Sequence, residues 1–93
     1  MQLVFDAPLI CAEHGRAIIH LVYLPDDISD ILNDLPLARH GFQSIKVVAG
    51  VGATTWPTSL FPSGANFLLL IARKVIMREG LAVGFPVEVT LDI

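Results

Sequence analysis

Residues 45–81 read IKVVAGVGATTWPTSLFPSGANFLLLIARKVIMREGL, and the reading of this stretch decides the fold. In Ile45–Gly52, the residues Ile45, Val47, Ala49 and Val51 point one way and Lys46, Val48 and Gly50 the other, which is the period of a β-strand. Gly50 and Gly52 mark a bulge or a sharp bend, the device that curves a sheet into a barrel. Thr54–Phe61 reads as the next strand, and Pro57, with no N–H to give, implies an edge position or a second bulge there. Pro62-Ser63-Gly64-Ala65-Asn66 is a turn cluster, and Phe67–Ala72 is a buried strand. Arg73–Glu79 reads as a short helix. Gly80 suits the left-handed position beyond its end, from which Leu81 can pack back on Ile76.

The flanks continue the pattern. Gln2–Cys11 alternates, with Leu3, Phe5, Ala7, Leu9 and Cys11 on one parity, and Pro8 predicts an edge or a bulge within it. Glu13-His14-Gly15 is a turn, and Ala17–Leu24 is apolar almost throughout. Ile28, Ile31, Leu32 and Leu35 then fall at i, i+3, i+4 and i+7, one stripe of a helix over Asp27–Asp34. Asp26 or Asp27 is its expected N-cap, and Pro36 stops it. Arg39-His40-Gly41-Phe42 is a loop. Val87, Val89, Leu91 and Ile93 alternate with Glu88, Thr90 and Asp92 in the last strand. The chain is therefore expected to be mostly β: one domain over residues 1–93, a small closed or strongly bent antiparallel barrel of about six strands with two short helices.

Composition narrows the function. The hydrophobic content is 54% and the charged content only 16%, against about 25% charged in an ordinary domain. A domain this small has much surface, so apolar surface is expected to remain exposed, which favours a homo-oligomer or a partner. Net charge is −3. Two basic side chains face six acidic ones in residues 1–40, and four face three in residues 41–93. Neither half has the basic excess of a nucleic-acid binder. Cys11 is the only cysteine, so the chain holds no internal disulfide, and a reducing cytoplasm is the expected compartment. Met1–Asp6 has no basic n-region, so it is not read as a signal peptide. The longest strongly apolar run, Phe67–Ala72, falls far short of the roughly 20 residues of a membrane span.

Three segments, Gly41–Val47, Trp56–Pro62 and Lys74–Leu81, resemble a bacterial family of small uncharacterised proteins known only as a domain of unknown function. In some proteins that domain is fused to a bacteriocin-protection-type helical segment. The resemblance runs from Phe5-Asp6-Ala7 to the last strand, and it implies a closed β-barrel with short helices. It implies no activity, substrate or catalytic residue. Two positions depart from the family pattern: Gly84-Phe85-Pro86 stands where Gly-Asp is usual, and Pro57 where a basic residue is frequent. A shorter likeness links the basic helix, Glu79-Gly80-Leu81 and the alternating last strand to swapped-hairpin DNA-binding regulators, which are dimers.

Candidate site residues gather between Lys46 and Arg78. Lys46, Arg73, Lys74 and Arg78 are candidates for an anion site, since Arg gives paired hydrogen bonds to phosphate or carboxylate; the alternative is a set of solvated side chains. Trp56, with Phe61 and Tyr23, is read either as the wall of an apolar pocket with Thr58 and Ser59 fixing a ligand, or as the plug of the core. Ser59 with His20 or His40 lacks a strained nucleophile turn and an orienting acid, so no catalytic residue is assigned. His14, His20 and His40 have no metal-ligand spacing, so neither a metal nor a cofactor is assigned. The leading expectation is a non-enzymatic module that binds a small molecule, an anion or a protein partner through Lys46, Trp56, Thr58, Ser59, Arg73 and Arg78. The alternatives are a dimeric nucleic-acid-binding regulator and, third, an enzyme.

Overall fold

The computed structural model describes residues 1–93. Its strands are β1 (Gln2–Pro8), β2 (Ile10–His14), β3 (Ala17–Tyr23), β4 (Ile45–Val51), β5 (Thr54–Ser63), β6 (Asn66–Leu70) and β7 (Pro86–Asp92). Helix α1 (Asp26–Asp34) follows β3, and helix α2 (Arg73–Glu79) follows β6. All strands pair antiparallel in one sheet, in the order β1-β7-β4-β5-β6-β3-β2.

Strands β1 and β2 lie at opposite edges of this sheet, yet only Leu9 separates them in the chain. One residue reaches about 3.3–3.6 Å, so the sheet has to curl until its two edges meet at that corner. The result is a half-barrel, fastened at Leu9. The Leu9 N–H donates to the Phe85 carbonyl at 3.0 Å, and the Gly84 N–H donates to the Leu9 carbonyl at 2.8 Å. The expected strand over Gln2–Cys11 is thus two strands, which raises the number from about six to seven. Pro8 stands opposite Pro86 near the end of the β1–β7 ladder. The hydrogen bonds of Leu9 carry this pairing one rung further, and from Ile10 the chain pairs with β3 instead.

Strand β5 is ten residues long and β6 only five. Strand β5 pairs with β4 over Thr54–Leu60 but with β6 only over Leu60–Ser63. Its Thr54–Ser59 half therefore has a neighbour on one side only, and Pro57 sits in that half, an edge position inside a central strand. At the β4–β5 turn, Gly52 has φ +57, so the glycine belongs to the hairpin rather than to a bulge within β4.

The inner face of the sheet and both helices enclose one cluster of 19 buried apolar side chains. Phe67 is the largest fully buried side chain, with Leu60, Leu69, Val89 and Leu91 among its fellows. Trp56 is not among them. It packs on the cluster from its margin and is half-buried. The reading of Trp56 as the core plug is thereby corrected: the indole belongs to the unflanked half of β5, and Phe67 fills the centre.

Helix α1 lays Ile28 and Leu32 on the cluster. Pro25 rather than Asp26 or Asp27 occupies its N-cap, while the Asp27 carboxylate, inside the first turn, accepts from the Ile28 N–H at 2.9 Å. Asp26 instead accepts a 2.7 Å hydrogen bond from Asn66 Nδ2, and the buried Ser29 Oγ accepts from the Phe67 N–H at 3.3 Å. These two bonds fasten α1 to the start of β6.

Candidate functional site

Opposite residues of an antiparallel pair face the same side of a sheet. Trp56 stands opposite Ala49 and Thr58 opposite Val47, and both partners are buried on the inner face. Trp56 and Thr58 therefore point into the half-barrel, in the part of β5 that β6 leaves uncovered. Directly after β6, the Ile71 N–H donates to the His20 carbonyl at 2.8 Å, and the chain turns into α2. That helix buries Val75 completely and sets Arg73, Ile76 and Met77, at i, i+3 and i+4, on one face.

These elements border a cavity of about 880 Å³ between β2, β3, β5, the end of β6 and α2. Twelve residues line it, nine of them hydrophobic, including Trp56, Ile71, Ile76 and Met77. Its other three side chains are Thr58, His20 and Arg73, and no Asp or Glu is among the twelve. None of the side-chain hydrogen bonds of the fold engages Arg73.

The position of α2 is fixed at its far end. Glu79, its last residue, accepts a 2.7 Å hydrogen bond from Thr54 Oγ1, and its carboxylate lies against Gly52, where a Cβ has no room. Gly80 then takes the left-handed conformation (φ 62, ψ 38), and the Leu81 N–H closes on the Ile76 carbonyl at 3.0 Å, the helix ending that the sequence predicts.

Of the residues singled out in the sequence, the structure brings Trp56, Thr58 and Arg73 together. Lys46 stands opposite Ser59 on the outer face, with the sheet between that pair and the indole. Arg78 and Lys74 are exposed on α2 and do not line the cavity. The four cations Lys46, Arg73, Lys74 and Arg78 therefore do not converge. Tyr23 and Phe61 both stand opposite Leu68, on the outer face, so neither joins Trp56. Ser59 faces away from the cavity that His20 lines, which separates that proposed nucleophile and base. Sequence reasoning missed Cys11, Ile18 and His20 on the β2–β3 hairpin, which reach the cavity only because the sheet curls. The spacing of Arg73, Ile76 and Met77 is the one signal that points to the α2 wall.

The fold and cavity together define a small antiparallel half-barrel with an apolar, acid-free opening at one end. The family model for the domain of unknown function DUF1905 matches residues 5–91, and the chain belongs to that family. No curated protein matches the chain. No helix is long and apolar enough to cross a membrane.

Proposed function

We propose that the chain is a binding module that takes a small, largely apolar molecule into the open end of the half-barrel. The observation that carries this reading is the cavity itself. About 880 Å³ lies within the 300–1,000 Å³ range of small-molecule sites, and the walls combine many apolar surfaces with few polar ones, as such sites do. A half-buried indole at the margin of a packed core offers a flat apolar wall without loss of the core. Thr58 and Arg73 supply the polar contacts, while Lys46, Ser59 and Arg78 act, if at all, at other surfaces.

The reading includes self-association. Phe61, Leu68 and Tyr23 follow one another across the outer face of β5, β6 and β3, and Tyr23 is exposed. A second copy covering this stripe would remove it from water. It also includes a reducing bacterial cytoplasm, where the exposed thiol of Cys11 stays free.

Amide chemical-shift mapping with a neutral apolar probe, 1-octanol, tests the site. Shifts at Thr58, Ile71 and Ile76 with none at Lys46 are the expected result. Shifts confined to the outer face, or none at all, reject it.

A further inference from the structure

We propose that the molecule taken by this cavity is an amphiphile with a single anionic head, held at Arg73, and an apolar body laid along Trp56, Ile71 and Ile76. This inference rests on the reading of the cavity as a ligand site and names the chemical class of its ligand.

Three observations converge on it. First, the chain has nine acidic against six basic side chains, yet no carboxylate lines the cavity. The one charged side chain there is a guanidinium. A cationic ligand would meet repulsion from Arg73 with no acid to offset it; an anionic one meets the reverse. Second, Arg73 is exposed and unengaged in the fold, so no intramolecular bond has to break before it takes a ligand. Its planar fork matches a carboxylate or a phosphate with two parallel hydrogen bonds. Third, Arg73 shares a helix face with Ile76 and Met77, and Ile71 lies two residues before it. A head at Arg73 therefore places an attached chain directly against apolar wall. Thr58 and His20 add hydrogen-bonding capacity but no competing negative charge.

The sole tryptophan sits in the wall, so its emission reports occupancy without a label. Titration with octanoate, 1-octanol and octylammonium at equal chain length reads the head group, and decanoate against octanoate reads the apolar body. Octanoate is expected to bind about tenfold more tightly than either companion, the worth of a charge-assisted hydrogen bond. Each added methylene is expected to tighten binding about fourfold. Arg73→Gln is expected to bring octanoate to the affinity of octanol while leaving the octanol titration intact, which also shows that the variant folds.

Octanol binding as tightly as octanoate, or an octanoate preference that survives Arg73→Gln, overturns the anionic class and leaves the cavity reading standing. Silence of the indole to all of the probes overturns both. An emission shift that grows with protein concentration in the absence of probe assigns the cavity to a second copy of the chain and overturns the small-molecule assignment.

Discussion

Thr54 Oγ1 donates a 2.7 Å hydrogen bond to Glu79 Oε2, joining the first residue of β5 to the last residue of α2 across 25 positions of sequence. The same carboxylate lies against Gly52 in the β4–β5 turn. The helix that walls the cavity is thus fastened to the hairpin that carries Trp56.

Gly52→Ala is expected to destabilise the domain by about 2 kcal/mol or more. The turn needs φ +57 there, which costs an L-residue about 1–2 kcal/mol, and the new methyl must also displace the Glu79 carboxylate. Urea unfolding measures it. Glu79→Ala alone is expected to cost about 1–2 kcal/mol through the lost hydrogen bond. The double variant should cost less than the two combined, by at least about 0.5 kcal/mol, because truncating Glu79 removes the clash. Strict additivity would mean that the two residues do not touch in solution.

Phe67→Ala is expected to cost about 3–5 kcal/mol, the scale for emptying a large buried aromatic site. Trp56→Ala should cost clearly less, about 1–2 kcal/mol, because the indole is half-buried and the centre of the core stays filled. Equal losses in paired urea melts would return Trp56 to the core.

Ser29→Ala is expected to cost about 1–3 kcal/mol, although it removes a single oxygen from a helix and alanine is the better helix former. The Phe67 N–H, buried at the start of β6, would lose its acceptor. A stabilised variant would show that the bond contributes nothing.

Lys46→Ala and Ser59→Ala are expected to leave the Trp56 emission titrations with octanoate unchanged within a factor of about two, since a tenfold change corresponds to about 1.4 kcal/mol and both side chains lie across the sheet from the indole. Thr58→Val tests the neighbouring residue on the inner face. A large effect of Lys46→Ala with none of Thr58→Val would reverse the facing of β5.

Much of the fold was legible in the residues. Val87, Val89 and Leu91 against Glu88, Thr90 and Asp92 announce β7, and Ile28 and Leu32 announce the buried side of α1. Gly80 and Leu81 announce the end of α2. Pro8 marks the bend, but not that a single residue beyond it joins opposite edges of the sheet, because edge identity is a property of long-range pairing. The site was less legible for a related reason. Strand β5 mixes apolar and polar residues on both parities, so its pattern does not say which face turns inward. Adjacent strand residues point to opposite faces, so Thr58 and Ser59 could not both line one pocket. Closeness in sequence grouped Lys46, Trp56 and Arg78, whereas the sheet divides Lys46 from Trp56 and Arg78 lies on α2 away from the cavity lining. His20 and Ile18 reach the cavity only through curvature that local periodicity does not encode.

The mismatch in length between β5 and β6 has a further consequence. The mouth of the half-barrel is set by where a backbone seam stops, not by a mobile flap or by the bulk of any side chain. Leu70 already stands at the level of Ser59 in this register, so each residue added to β6 would carry that seam about 3.4 Å further along β5, past Thr58 and then Pro57, drawing the entrance shut like a zip. Aperture in such a domain is therefore counted in ladder rungs, and a two-residue insertion after Leu70 would tune access more directly than any repainting of the walls.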